Sequence, residues 1–264
     1  MLLLGLSIGV RSWSLSRVGA VTVTQEPLTN VPTTEVPTTA VPTTTVPAAE
    51  IPAAPIPAAT EVLMITKVKI STLRPTQLAV GVQQVNEKAA RIRAKTERKQ
   101  NKYLKGHPVP VIIGPGGEYY LVDHHHLCRA AQLLGMDSVF ITVMRDGDWS
   151  QLAPEEFWKK MHASNYVWLH DAAGNPLTLA EFTKVLPKDV SGLKDDPHRS
   201  IAAIVRKAGG FDKDWMPFAE FHWANFFRVH VPLKAPPKIS DEDIAAAMQF
   251  SRVPDASHLP GYIK

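Results

Sequence analysis

The chain has 264 residues, the length of one large domain or two small ones. Hydrophobic residues make up 45% and charged residues 20%, a balance that excludes disorder throughout. The single cysteine, Cys128, excludes an internal disulfide framework and a multi-cysteine zinc site, and the net charge of +4 is compatible with phosphate-bearing partners without identifying one. Eight of the 22 prolines precede residue 61, whereas Trp13 is the only aromatic residue there. The chain therefore divides into an aromatic-poor front and an aromatic-rich body long enough to bury a substantial core.

Residues 1–20 read as a secretory signal or as an unstructured N-terminus. The run Met1–Val10 is apolar but too short to span a bilayer, and Val18-Gly19-Ala20 resembles a cleavage site. No basic residue precedes the apolar run, so cytoplasmic and exported locations both stay open. Residues 21–60 form a linker whose second part is a six-fold pentapeptide repeat, VPTTE, VPTTA, VPTTT, VPAAE, IPAAP, IPAAT. A proline every five residues removes amide donors and biases the preceding residue to extended backbone, which predicts a semi-rigid, polyproline-like spacer without chemistry.

Residues 61–145 alternate between strand and helix patterns. A strand is expected over 62–70, a turn at Leu73-Arg-Pro-Thr-Gln77, and one helix over 82–104 carrying Val82, Val85, Ala89 and Ile92 at helical spacing. Its second half is strongly basic, and Lys95, Arg98, Lys99 and Lys102 are candidates for contact with nucleic-acid phosphates; the alternative is a solvated helix face. Strands at 108–113 and 118–122 flank Gly114-Pro-Gly-Gly117 as a hairpin, and a helix at 124–134 precedes a strand at 139–143.

The segment Asp123–Arg129 is the principal candidate site. A strand that runs directly into a helix leaves unpaired N–H groups and a positive dipole end, which suit an anion. His124, His125 and His126 add ring donors and Arg129 a fixed cation, while Asp123 is read as a helix cap, a metal ligand or an orienting group. Consecutive helical residues point about 100° apart, so three adjacent histidines do not converge on one ion. Cys128, one turn in among apolar residues, reads as core rather than as an activated thiol.

The run Leu121-Val-Asp-His-His-His-Leu-Cys-Arg-Ala-Ala-Gln-Leu-Leu-Gly135 resembles the signature box of the ParB/sulfiredoxin fold. Within that superfamily the ParB-like nuclease group is the most similar, also through Glu156-Phe-Trp158, Asp195-Asp-Pro-His-Arg-Ser200 and Pro217-Phe-Ala-Glu-Phe-His-Trp223. The resemblance implies an α/β (α+β) fold, a small mixed sheet with helices, followed by a mainly helical, aromatic-rich extension over 146–264. It further implies nucleotide binding or phosphodiester chemistry, with a nucleoside triphosphate or a divalent metal such as magnesium as cofactor. Carried over by position, His125 and His126 match the histidines of the box and Arg129 its later arginine; with Asp123, read from its place at the helix start, the two histidines are acid–base or metal candidates, and His124, Arg129, Gln77 and Arg199 are phosphate-binding candidates. His124 replaces the box glycine, Leu127 replaces an arginine, and Gln77 stands near where kinase members carry a catalytic Glu, although an amide cannot act as a base. No helix-turn-helix pattern of the true partition proteins is present.

Residues 146–264 contain 13 aromatics between Trp149 and Phe227, which read as core. Helices are expected at 154–163, opened by Pro154, at 178–185, from Asp196-Pro197 to Gly209-Gly210, around 218–227, and after the capping box at Ser240 and Asp243. Asp195, Asp196 and Arg199 serve either as a cap and surface pair or as a completion of the histidine site, with Asp195 and Glu220 as further metal-ligand or base candidates. The expectation is a phosphate-handling ParB-like protein; the alternatives are a non-catalytic nucleic-acid or nucleotide-binding module, or an exported interaction protein. The sequence does not specify an oligomeric state.

Overall fold

The structure is a computed structural model that describes residues 64–234 and 238–264. The signal-like segment and the pentapeptide repeat lie outside the described residues. Among the described residues seven strands, β1 (Ile65–Lys69), β2 (Leu73–Arg74), β3 (Ala79–Val80), β4 (Val109–Ile113), β5 (Tyr119–Leu121), β6 (Ser138–Asp148) and β7 (Lys194–Asp195), combine with eight α-helices. The helices are α1 (Val82–Arg93), α2 (Glu97–Lys105), α3 (His125–Leu133), α4 (Pro154–Ala163), α5 (Leu179–Val185), α6 (Pro197–Lys207), α7 (Ala219–His230) and α8 (Asp241–Phe250).

Five strands form one mixed sheet in the order β1-β6-β4-β5-β2, and β3 pairs with β7 in a separate parallel ribbon. The expected hairpin is present: β4 and β5 are antiparallel, with Ile112 opposite Tyr120. Because side chains alternate across a strand, β4 and β5 each serve two cores. Val109, Val111 and Leu121 face α1 and α3, packing with Val85, Ile92, Leu127 and Cys128. Ile112 and Tyr120 face the opposite side and meet Trp149, Phe157, Met161 and Phe182. A third core, built from Ile201, Val205, Phe211, Trp223 and Phe227, holds α6, α7 and α8 together. Trp223 stacks on Phe211 at 4.3 Å between centroids, and its indole N–H donates to the Pro260 carbonyl at 2.8 Å. Most aromatics of the C-terminal half are therefore core, with Trp215, which is exposed, as the exception.

Two local expectations differ from the structure. The helix expected over 82–104 is interrupted: α1 ends at Arg93, with Ala94 as its C-cap, and α2 begins after Thr96. A straight helix would place the buried Ile92 and Leu104 about 120° apart, so the bend lets both reach the same core. The Gln100 amide donates to the Lys95 carbonyl and to the Ile92 carbonyl, which also accepts the Lys95 N–H, and so closes the bend. Strand β6 also runs five residues past Val143, through an Arg-Asp-Gly-Asp sequence with turn character, with a register shift against β4 near Ile113. Gly147 is accommodated there with no room for a Cβ, which would lie 2.7 Å from the Met144 carbonyl oxygen.

Candidate functional site

Strand β5 delivers Asp123 and the three histidines to the start of α3. The first helical N–H groups of α3 have no carbonyl partner within the helix, so its positive end is open at His125 and His126. The N-cap, His124, adopts a left-handed conformation with φ of 67°. Its own N–H is taken by the Asp123 carboxylate at 2.5 Å.

The two following histidines turn toward the polypeptide. The Thr76 N–H donates to His125 Nε2 at 3.1 Å, while the Thr76 hydroxyl donates to the Leu121 carbonyl at 2.6 Å. The Gly81 N–H donates to His126 Nε2, also at 3.1 Å. Each Nε2 is thus an acceptor, and the network assigns both rings as the neutral Nδ1–H tautomer. Burial, the first cause in each ring, lowers the His125 pKa to about 4 and holds that of His126 well below the ordinary value, with Arg199 adding to the effect at His126. His125 and His126 therefore fasten the 76–81 segment, and through Gly81 the N-terminus of α1, to the first turn of α3.

Three helix starts converge at this point. The Gly81 backbone lies so close to α6 that an added Cβ would be 2.7 Å from Ser200 Oγ, so α1, α3 and α6 share one junction. Asp195 accepts the Val82 N–H at the head of α1 at 2.9 Å, and Asp196 accepts the Arg199 N–H at the head of α6 at 3.2 Å. Asp196 also receives Arg228 Nη2 from α7 at 2.8 Å. Arg228 Nη1 donates to His198 Nδ1 at 3.2 Å, and His198 Nε2 donates to the Val231 carbonyl at 2.9 Å. Most polar residues of the 195–200 motif are thereby engaged as scaffold.

Arg199 is the exception. Its side chain is 11% exposed, lies 3.5 Å from Glu220 and stacks over Phe221 at 5.1 Å, yet Nε and Nη1 are buried without an acceptor among the described residues. Burial lowers its pKa while Glu220 and Asp196 oppose that shift, and the guanidinium stays charged. Lys88, on α1, is a second cation within electrostatic reach of the same junction, acting on His124 and His126. Burial and then Arg91 lower its pKa, Asp123 raises it, and Arg199 acts on it as well. Lys88 reads in the sequence as one charge of a basic run; only the packing of α1 on α3 separates it from the others.

The remaining candidates are distributed differently. Arg129 donates to Gln132 on its own helix at 2.8 Å and acts on Asp189, so it faces away from the first turn. Gln77 is buried and bonds the Ala79 carbonyl within its own turn. Lys95 lies 5.6 Å from the Tyr103 ring centroid, and Arg98, Lys99 and Lys102 are exposed on α2. Asp195 and Glu220 are committed to Val82 and to Arg199 with Arg206, respectively. Among the described residues no three His, Cys, Asp or Glu side chains are grouped to hold a metal. Asp123 is the exposed carboxylate of the box, and Nε2 of His125 and of His126 is occupied, so this donor set does not fit a metal ion; the cationic junction fits a phosphate.

The family model described as "Putative ParB-like nuclease" matches residues 66–229. The chain belongs to this ParB-like family. It is also similar to the crystal structure of protein Atu1540 from Agrobacterium tumefaciens, with 34% identity and a TM-score of 0.65 over 76% of this chain and 96% of that one. No curated protein matches the chain. In this fold β5 runs directly into α3 at the box, and the left-handed His124 stands where the resemblance expects a glycine. An L-residue in that region costs roughly 1–2 kcal/mol, although histidine tolerates it better than most. His124 Nδ1 is also buried without a partner among the described residues. His124→Gly is expected to raise unfolding stability by about 1 kcal/mol, partly offset by the greater freedom of glycine in the unfolded chain. A lowered denaturation midpoint in urea would contradict this account of the turn.

No described helix is long and apolar enough to cross a membrane.

Proposed function

We propose that this ParB-like protein binds the phosphate group of a nucleotide or nucleic acid at the first turn of α3, between Lys88 and Arg199. One observation carries the reading: two cations from separate elements lie within electrostatic reach of a helix N-terminus, and one of them keeps two buried N–H donors without an acceptor. A phosphate oxygen accepts such donors through charge-assisted hydrogen bonds and gains from the helix dipole. In this reading His125 and His126 are positioning residues, because their Nε2 atoms already hold Thr76 and Gly81. Asp123, with its side chain 77% exposed at the mouth of the box, is the group placed to exchange a proton with a bound ester or water. The family's description as a nuclease agrees in kind with a phosphate ester as substrate.

The second reading, a non-catalytic nucleic-acid module, draws on the α1–α2 bend. Arg91, Arg93, Arg98, Lys99, Lys102 and Lys105 are exposed, and none of them forms an ion pair among the described residues. This surface approaches the box at His107, whose backbone acts on His124.

One set of titrations separates the readings. ATP, CTP and a short oligonucleotide are added to wild type, Lys88→Ala, Arg199→Ala, Asp123→Asn and a variant with Lys95, Arg98, Lys99 and Lys102 changed to Gln. Arg199→Ala is expected to weaken the bound phosphate compound at least about tenfold, the loss of a charge-assisted bond. Asp123→Asn should abolish turnover while leaving binding in place. If only the oligonucleotide binds, and only the four-residue variant weakens it, the module reading stands. If none of the three compounds raises the thermal midpoint of the wild type, both readings fail.

A further inference from the structure

A second cleft lies on α7, away from the histidine box. It encloses about 330 Å³ and is lined by Met216, His222, Asn225, Phe226, His258 and the Leu259–Pro260 step. The volume falls at the small end of ligand pockets, which are mostly apolar with a few convergent polar groups. The polar groups here are the ring nitrogens of His222 and His258 and the carboxamide of Asn225, and none of them has a hydrogen-bond partner among the described residues. Phe226 supplies an aromatic wall, and Trp215, 90% exposed, stands next to the lining residue Met216 in the chain.

The lining contains no Asp, Glu, Lys or Arg. Burial, and then His258, lowers the pKa of His222, so that ring is neutral near pH 7. With no lysine or arginine in its lining, the cleft offers no fixed cation to offset the desolvation of a phosphate or a carboxylate. It also gives a long aliphatic chain no use for three free polar groups. A flat ring with donors and acceptors on its edge would satisfy both conditions: it could lie against Phe226 and the histidine rings of the lining and pair through its edge with the Asn225 amide, which can donate and accept at once. Asparagine pairing with a base edge and aromatic stacking on its face are general means of holding an unpaired base.

We propose that this cleft binds a neutral, planar nitrogen heterocycle of the nucleobase class, presented either by a free nucleoside or by an unpaired base of a single-stranded polynucleotide. The assignment does not depend on the phosphate site, because a nucleoside carries no phosphate. Lys88 and Arg199 play no part in it.

The test titrates adenosine, guanosine, cytidine and uridine separately into the full chain, with heat or backbone amide NMR shifts as readout. At least one nucleoside should bind, shifting resonances of residues 216–226 and 258–260. His258→Ala, at an exposed position, and Asn225→Leu should each weaken binding about fivefold or more, as expected for one lost hydrogen bond. A short single-stranded oligonucleotide distinguishes the sources: displacement of the nucleoside by the oligonucleotide identifies a polynucleotide base, and no displacement identifies the free nucleoside. Should only the oligonucleotide bind, the same loss in His258→Ala is required for the cleft to be its site. The proposal is overturned if neither nucleoside nor oligonucleotide binds, or if binding is indifferent to both His258→Ala and Asn225→Leu. Failure here leaves the phosphate reading standing, since that is read on Lys88 and Arg199.

Discussion

Asp196→Ala is expected to destabilise the protein by about 3 kcal/mol or more, the cost of leaving one partner of a buried ion pair uncompensated. Asp196 is 1% exposed and the Arg228 side chain 22% exposed, so the remaining guanidinium would lie largely inside the protein without its carboxylate. The same substitution removes the cap on the Arg199 N–H at the head of α6, typically worth about 1 kcal/mol. In a body of this size each kcal/mol lowers the thermal midpoint by roughly 2–4 °C, so a fall on the order of 10 °C is expected in a thermal melt. The double variant Asp196→Ala with Arg228→Met should recover part of that loss, because it removes the stranded charge as well. A fall below about 2 °C in the single variant would show that Arg228 is solvated in practice and that the pair is a surface one. The link to function runs through α6: its first turn carries Arg199 at the three-helix junction. A frayed start of α6 should therefore weaken phosphate binding without any change at Lys88 or the histidines.

How far this architecture can be read from the sequence depends on the range of the interactions that set each element. Helix α4 begins at Pro154 as expected, because proline at the first position and Glu155 and Glu156 in the first turn are local signals. The capping box of α8 is likewise formed by Ser240 and Asp243. The break between α1 and α2 carries no proline or glycine, and it arises because Ile92 and Leu104 must reach one core that only the folded sheet defines. The two-residue strands β3 and β7 are joined across more than a hundred residues and have no periodic pattern to show. The candidate site divides in the same way. A strand running into His-His-His marks the box locally, and the resemblance to the ParB-like family adds the fold around it. Which atoms of the histidines are free is set by Thr76 and Gly81, about 45 residues upstream, and by burial. Arg199 reads locally as the arginine after a capped helix start; its neighbours Phe221 and Glu220 come from α7. Lys88 is one of several cations until α1 is packed against α3. Chemistry written within one turn of helix was legible, and chemistry assembled between elements was not.

Acid should loosen this protein before its carboxylates titrate. His125, His126 and His198 each accept a hydrogen bond on a ring nitrogen, from Thr76, Gly81 and Arg228 respectively. Protonation of that nitrogen removes the acceptor and, at His198, sets a second cation against Arg228. Burial is the first cause that lowers all three pKa values, that of His125 to about 4. The unfolded chain, with histidine near its ordinary value of about 6.5, then binds more protons than the fold between the two pKa values. Stability is therefore complete above about pH 6.5 and falls as pH drops toward 4, by about 1.4 kcal/mol per pH unit for each fully shifted histidine. For His125 alone the loss approaches about 3 kcal/mol over that range. Urea midpoints measured at half-unit steps from pH 7 to pH 4.5 test this. The decisive comparison is His125→Gln, whose side-chain oxygen can accept the Thr76 N–H without titrating. That variant should lose about one proton's worth of slope between pH 6 and 5, even if it is somewhat less stable at pH 7. An unchanged slope would mean that His125 keeps an ordinary pKa and that Thr76 is held in another way. Because the same ring tethers Thr76 to the first turn of α3, phosphate affinity should decline over the same pH interval, and in His125→Gln the decline should be shallower, since His126 still titrates.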